Sequence, residues 1–518
     1  MQSFDAIVIG GGTNGMACAA RLTKGGKRVL VLDAADRPGG AAVGGDPASG
    51  ALQMPLAHLL MMLDPRVHAG MDLDQHGFSY AATDLTTTAL SATGDHLVLE
   101  GPAGASVSGS LSDADRAAWA TLRKRLLTYA EALVPFRALT PPRIARKAGN
   151  DMLGLAKIGL GLRRLGREEF REFLRLFLIN VADFLEDDLT DDRLRGVLAF
   201  DAVLGSWLGP RSPNSLLVYL NRLAGEAAGT RAALALPKGG MGTVADAMAR
   251  STAASGVTLQ SGARVERILI EDDRATGVVL TSGETYRAPT IVSAAGPKQT
   301  LLDLVGARHL DTGFVRRTRN IRSRGGAAKL HLALTARPDF RGADLATRLM
   351  IAPDINTVEN AFNATKYGEV PERPVMEIVI PTAHEGTGTD DPHLLSAIVQ
   401  FAPHDPRDGL DKARKQMLAN TLNVLEDHAP GIGGLISERE LLMPQDIEAR
   451  YGMAGGNWHH GELSVEQMLF LRPFADVAQY STPIAGLWLA SAGSHPGGGI
   501  SGAAGWNAAE RILSGVAA

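Results

Sequence analysis

His460 and Glu462 stand two residues apart in the tract Gly455-Gly456-Asn457-Trp458-His459-His460-Gly461-Glu462. A histidine exchanges protons near neutral pH, and a nearby carboxylate can orient or polarise its ring. This pair is the first candidate for acid–base chemistry, with His460 ahead of His459. The competing reading is that both residues only fix the shape of a glycine-rich loop. Lys329 and His331 are a second pair, spaced so that both fall on one face of a strand while Leu330, Leu332 and Leu334 fall on the other. That polar face either lines a substrate cavity or forms a solvated edge, and the solvated edge is the plainer expectation. His495 lies inside a glycine turn, where it touches a ligand or shapes the turn. Lys238, before Gly239-Gly240, and His58, in Met54-Pro55-Leu56-Ala57-His58, are further candidates. Cys18 is the one cysteine. A lone thiol rules out an internal disulfide, a dithiol redox centre and a Cys-rich metal site, so no metal is expected. Its place among alanines reads as a small buried core residue.

The elements that must position these groups begin at the N-terminus. Ala6 to Ile9 reads as a buried parallel strand. Gly10, Gly12 and Gly15 follow in G-x-G-x-x-G spacing, then a helix over Met16 to Leu22, then a strand over Arg28 to Leu32 that ends at Asp33. Strand, glycines, helix, strand and acid in this order form a dinucleotide-binding βαβ unit. Gly10 permits the tight turn, Gly12 lets the backbone approach a pyrophosphate, and Gly15 allows close helix–strand packing. The helix N-terminus offers free N–H groups to phosphate, and Asp33 can accept from ribose hydroxyls. The continuation Ala34-Ala35-Asp36-Arg37-Pro38-Gly39-Gly40-Ala41 gives a second close backbone approach and a charge at Arg37. That suits FAD better than NAD.

At 518 residues the chain has room for two or three domains and a large core. A net charge of −4 gives no general attraction to nucleic acid or to anionic membrane. Residues 112 to 225 read as helices. Among them, Glu168 to Leu185 carries Phe170, Phe173, Leu174, Phe177, Leu178, Val181, Phe184 and Leu185 on one apolar face. The apolar, cationic segment Leu153 to Leu165 reads as a lid, with a membrane-interface role as the alternative. Residues 311 to 450 add strands over Ala327 to Leu334, Val375 to Ile380 and Ser396 to Phe401. The C-terminal tract Ser494-His495-Pro496-Gly497-Gly498-Gly499-Ile500-Ser501-Gly502 enters a helix from Gly502 to Leu513, a second exposed helix N-terminus. The fingerprint begins within a few residues of Met1, which leaves no room for a signal peptide, and no apolar run is long enough to span a bilayer. A cytoplasmic location is therefore expected.

Three tracts carry a resemblance: the N-terminal fingerprint, Pro237 to Gly242, and the pair GGNWHHGE and GSHPGGGISGAAGWNAA. Together they resemble the phytoene desaturase-related FAD oxidoreductases, in particular the branch called pyridine nucleotide–disulfide oxidoreductase domain-containing protein 2. That name mentions a disulfide, which this chain cannot form. The resemblance implies an α/β, two-domain fold. Residues 1–75, 230–310 and 455–518 would build a Rossmann-like FAD domain from discontinuous segments. Residues 76–229 and 311–454 would build a substrate and lid domain of mixed sheet and helices. The cofactor set taken from these tracts is Gly10, Gly12, Gly15, Asp33, Ala34, Arg37, Gly40, Ala41, Gly240, Val265, Ala295, Gly493, Gly499 and Ile500. With no C-terminal cysteine, FAD is expected to be non-covalent. The expected reaction is hydride transfer from a largely apolar substrate to flavin N5, as a dehydrogenase, desaturase or oxidase. Oxygen or a quinone would take the electrons, because a second nucleotide fingerprint is missing. A redox-neutral flavin isomerase and a flavoprotein acting through a protein partner are the alternatives.

Overall fold

The computed structural model describes residues 3–44, 52, 54–142, 156, 159, 160, 163 and 166–515. A five-stranded parallel sheet runs in the order Thr258–Gln260, Val29–Leu32, Ala6–Ile9, Thr290–Ser293, Leu487–Leu489. The segments AIVI and VLVL are buried along their whole length because both faces of the sheet are covered. On one face Val8, Val31 and Val292 pack with Cys18 and Leu22 of helix Thr13–Lys24 and with Ala508 and Ala509 of helix Ala503–Leu513. On the other, Ile7, Leu30 and Ile291 meet Ile268, Val278 and Leu280 of the antiparallel sheet Val265–Glu271, Arg274–Leu280, Thr285–Arg287. Cys18 is buried, and burial pushes its thiol up to about 12.

An eight-stranded sheet forms the second layer. Its order is Ile436–Leu442, Ala327–Leu334, His393–Gln400, Val375–Val379, Arg348–Ile351, Thr87–Ala89, Leu97–Glu100, Ser106–Ser108. All neighbours are antiparallel except Arg348–Ile351 beside Thr87–Ala89. Leu330, Ile378 and Val399 bury one face against Met417 and Leu425 of helix Leu410–His428. A helical cluster, Asp113–Ala138, Asp192–Val203 and Ser215–Leu223, packs with helix Ile355–Lys366 around Leu126, Val197, Leu217 and Val358. Ser112 starts the first of these by accepting from the Asp115 N–H at 3.0 Å.

Two expectations are corrected here. The helix expected over Glu168 to Leu185 is two helices, Arg167–Leu176 and Val181–Glu186. Asn180 breaks it, because its side chain accepts from the Asp183 N–H at 2.8 Å and caps a new helix. The single apolar face is lost with it: Leu174 and Leu178 are 51% and 69% exposed. The solvated edge expected at Lys329 and His331 is also absent. Their strand lies between two others, and both side chains are fully buried. The segment Leu153 to Leu165 lies outside the described residues apart from isolated positions. Among the described residues, no helix is long and apolar enough to cross a membrane.

Candidate active site

A cavity of about 630 Å³ joins the parallel sheet to the helical cluster. Its sheet end is backbone. Gly10 turns with φ +96°, and a Cβ on Gly15 would lie 1.9 Å from the Gly10 carbonyl oxygen, so helix Thr13–Lys24 approaches the turn as closely as only glycine allows. Gly12 caps that helix without a side-chain hydrogen bond, and its first turn holds no acid. Gly12, Thr13, Asn14 and Gly15 all line the cavity, so the positive helix end is open to an anion. Gly39 donates to the Gly11 carbonyl at 3.0 Å, which folds the second glycine pair back onto the fingerprint. Asp33 accepts from the N–H groups of Gly11 at 2.6 Å and Ala35 at 2.8 Å. Burial raises its pKa. A carboxylate has about four acceptor sites, which leaves capacity for ribose hydroxyls.

Ala34, Arg37, Gly40, Ala41, Val265, Ala295, Gly499 and Ile500 also line this cavity. Arg37 is tied to Asp246 at 2.7 Å. Gly240 and Gly493 do not line it. Gly240 closes the turn before helix Gly242–Ala254 by donating to the Pro237 carbonyl at 3.0 Å. Gly493 leaves room for Pro297, whose Cδ would lie 2.4 Å from a Cβ there.

The other end is made by side chains from distant segments. His460 lines the cavity beside Trp458 and His459. It holds φ +55°, a conformation uncommon outside glycine, and its N–H donates to the Asn457 carbonyl at 2.9 Å. Asn457 fixes the loop further, accepting from the His459 N–H at 3.0 Å and donating to the Arg324 carbonyl at 3.0 Å. Below it lies Arg472, fully buried, whose guanidinium donates only to backbone carbonyls among the described residues, including those of His459, Gly461, Gln467 and Ala492. Burial first, and the Arg472 cation second, hold His460 down to about 4 and His459 to about 3. Both rings are neutral at pH 7. Nδ1 of each has no hydrogen-bond partner among the described residues.

Glu462 pairs with arginines and not with His460. Its buried carboxylate accepts from Arg324 Nε at 2.9 Å and pairs with Arg322 Nε at 3.3 Å. His495 spends both ring nitrogens on backbone carbonyls, of Leu469 at 3.1 Å and of Phe136 at 2.6 Å. Lys238 is exposed. Lys329 and His331 are buried and do not line the cavity. Lys329, Ile398 and Glu377 are directly opposite one another on three adjacent strands, and of these Ile398 reaches the cavity. His58 lies over this face and does line the cavity, with Nε2 2.8 Å from Glu377 and Nδ1 3.2 Å from the Ser396 hydroxyl. Glu377 also pairs with Arg348, which pairs in turn with Asp201; Arg222 meets Asp201 at 2.7 Å. Burial drives the Lys329 amine down to about 7 and His58 to about 4, while Arg348 keeps Glu377 ionised against its burial. Sequence reasoning missed Glu377, Arg348, Asp201, Arg222 and Arg472. The one available signal was a single charge inside an otherwise apolar strand, as in VMEIV and RLMI.

The parallel sheet, its glycine turn and the cavity across its strand ends define a dinucleotide-binding oxidoreductase of the flavin type. Residues 5–342 match the FAD dependent oxidoreductase family, DAO, and the chain belongs to that family. It is an FAD-dependent enzyme. A rat protein called pyridine nucleotide-disulfide oxidoreductase domain-containing protein 2 is 29% identical over 541 residues, 98% of this chain and 93% of its own. The phytoene desaturase (neurosporene-forming) of Cereibacter sphaeroides is 25% identical over 553 residues, 96% of this chain and 92% of its own. Among solved structures, wild-type putrescine oxidase matches 99% of each chain with a TM-score of 0.60 at 17% identity, a likeness of fold.

Proposed function

We propose that this enzyme takes a hydride from a largely apolar organic substrate, bound at the end of the cavity lined by His460 and the helices. Segments 1–75, 230–310 and 455–518 hold FAD, and segments 76–229 and 311–454 form the substrate side. The observation that carries this reading is the continuity of the cavity from Gly10–Gly15 to His460. Bound FAD supplies the hydride acceptor. The chain's own residues do the rest. The Thr13–Lys24 N-terminus and Asp33 anchor the cofactor's diphosphate and ribose. Met61, Leu204, Val218 and Leu463 give the substrate end an apolar wall that excludes water. His460, neutral at pH 7, accepts a proton from the substrate atom next to the one that loses hydride. The phytoene desaturase relative supports an apolar substrate, and nothing in the site favours an isomerase or a partner-binding flavoprotein. Oxygen or a quinone reoxidises the enzyme.

Denatured protein is expected to release FAD with its adenine intact, and a library of apolar metabolites under anaerobic conditions should contain one that bleaches the flavin. Release of FMN, or flavin that stays attached after denaturation, would contradict the cofactor assignment. Stopped-flow mixing with NADH or NADPH should reduce the flavin slowly or not at all; fast saturable reduction would overturn the choice of acceptors.

A further inference from the structure

Arg137, in the last turn of helix Asp113–Ala138, lines the cavity on its helical side. Its guanidinium touches Asn221 Oδ1 at 3.5 Å and Met62 Sδ at 3.3 Å, both weak acceptor contacts. The arginines around it are each balanced. Arg66 meets Asp64 at 2.6 Å, Arg222 meets Asp201 at 2.7 Å, and Arg231 meets Glu131 at 3.3 Å. Among the described residues Arg137 belongs to no ion pair. Burial lowers its pKa to about 10, so it remains a cation at neutral pH.

The charge is also held in place. The Arg137 carbonyl accepts from Asn507 Nδ2 at 2.9 Å, and the preceding carbonyl, of Phe136, lies 2.6 Å from His495 Nε2. The helix end is therefore pinned to the C-terminal segment, and the guanidinium is presented from a rigid base. A planar guanidinium can bind a carboxylate through two parallel hydrogen bonds. Asn221, on helix Ser215–Leu223, has an amide that can donate a third. The wall around them is formed by Met61, Met62, Leu204 and Val218, together with the mutually paired Arg222 and Asp201. A desolvated cation in such a wall is costly until an anion reaches it.

We propose that Arg137, with Asn221 beside it, binds a carboxylate on the substrate, so that the substrate class is an apolar acid whose hydrocarbon part lies along the cavity. This rests on the reading that the helical end of the cavity receives the substrate. The other anion in reach of the cavity is the diphosphate of FAD, and the experiment separates the two.

FAD-loaded protein is titrated with octanoate and with 1-octanol by isothermal calorimetry. Wild type is expected to bind octanoate at least about tenfold more tightly than octanol, as a charge-assisted pair warrants. Arg137→Gln should abolish that preference, leave octanol binding and FAD affinity unchanged, and not lower the thermal midpoint. Arg137→Lys should restore part of it. Octanoate that binds wild type no better than octanol, or a preference that survives Arg137→Gln, overturns the assignment. Weakened FAD binding in Arg137→Gln also overturns it, and assigns the guanidinium to the cofactor's diphosphate. If wild type holds no FAD, the functional reading falls as well; if it holds FAD without discriminating the two probes, only the carboxylate assignment falls.

Discussion

The two ends of the cavity are built by opposite means. At the sheet end, one stretch of chain does nearly everything: Gly10, Gly12, Gly15 and Asp33 act through turns, helix N–H groups and one carboxylate, all within a single βαβ unit. At the helical end, Arg137, Asn221, Ile398, His58 and His460 arrive from far-apart segments, and His58 is held by Glu377, which also pairs with Arg348 on the neighbouring strand. The first kind of site is stiff and tolerates little substitution. The second depends on pairs, so removing one member exposes the cost of the other.

The sharpest way to break the comparison is at the sheet end. A Cβ on Gly12 has nothing nearer than 4.0 Å, so Gly12→Glu should fold. It places a carboxylate at the open helix N-terminus, where the diphosphate belongs. Folded protein without FAD is the expected outcome, read by circular dichroism together with flavin content. At the helical end, His460→Ala should keep FAD and lose roughly 10²–10⁴-fold in the rate of flavin reduction by substrate. If the ring only shapes its loop, the variant will instead loosen FAD while substrate reduces the remaining flavin at the normal rate.

Glu377→Gln probes the paired network rather than the chemistry. It leaves Arg348 and His58 without their shared partner, and should cost about 3–5 kcal/mol of stability with FAD content maintained. Arg37→Gln, which removes a half-exposed pair with Asp246, should cost under about 1 kcal/mol. Equal costs, measured by denaturant titration, would erase the contrast between the buried and surface pairs.

The same contrast decides what could be read from sequence. The βαβ unit was legible because its signals are local: the strand Ala6–Ile9, the three glycines and Asp33 lie within about one turn or strand of what they contact. Strand Ala327–Leu334 was legible too, by its alternation. Which face was wet was not, because alternation marks two faces without saying what covers them. Lys329 and His331 are covered by a loop carrying His58, and the compensating carboxylate, Glu377, sits in a strand whose other residues are apolar. The break at Asn180 was hidden for a different reason: the i, i+3, i+4 pattern runs through it, and only a cap bond to Asp183 stops the helix. Glu462 looked like a partner for His460 because only Gly461 separates them. In a loop that distance sets no direction, and Arg324 takes the carboxylate.

A separate effect is expected on stability against pH. His58, His459, His460 and His495 are all held below their ordinary value, with burial the main cause. Between pH 4 and 6.5 the unfolded chain therefore binds more protons than the folded one, and stability rises with pH across that window. It should fall as pH drops from 6.5 toward 4. His460→Gln should flatten this dependence by at most about 3.5 kcal/mol, since each unit of lowered pKa is worth about 1.4 kcal/mol. A slope unchanged in the variant would mean that the ring is not buried as described.

In the proposed mechanism one cavity holds the cofactor at one end and the reacting atoms at the other. A crystal structure of the FAD-loaded enzyme tests this most directly. It should show the diphosphate on Gly12 to Gly15, the ribose at Asp33 and the isoalloxazine ring in contact with the Trp458 to His460 segment. A ring that lies at the Asp33 end, or out of contact with His460, would contradict it.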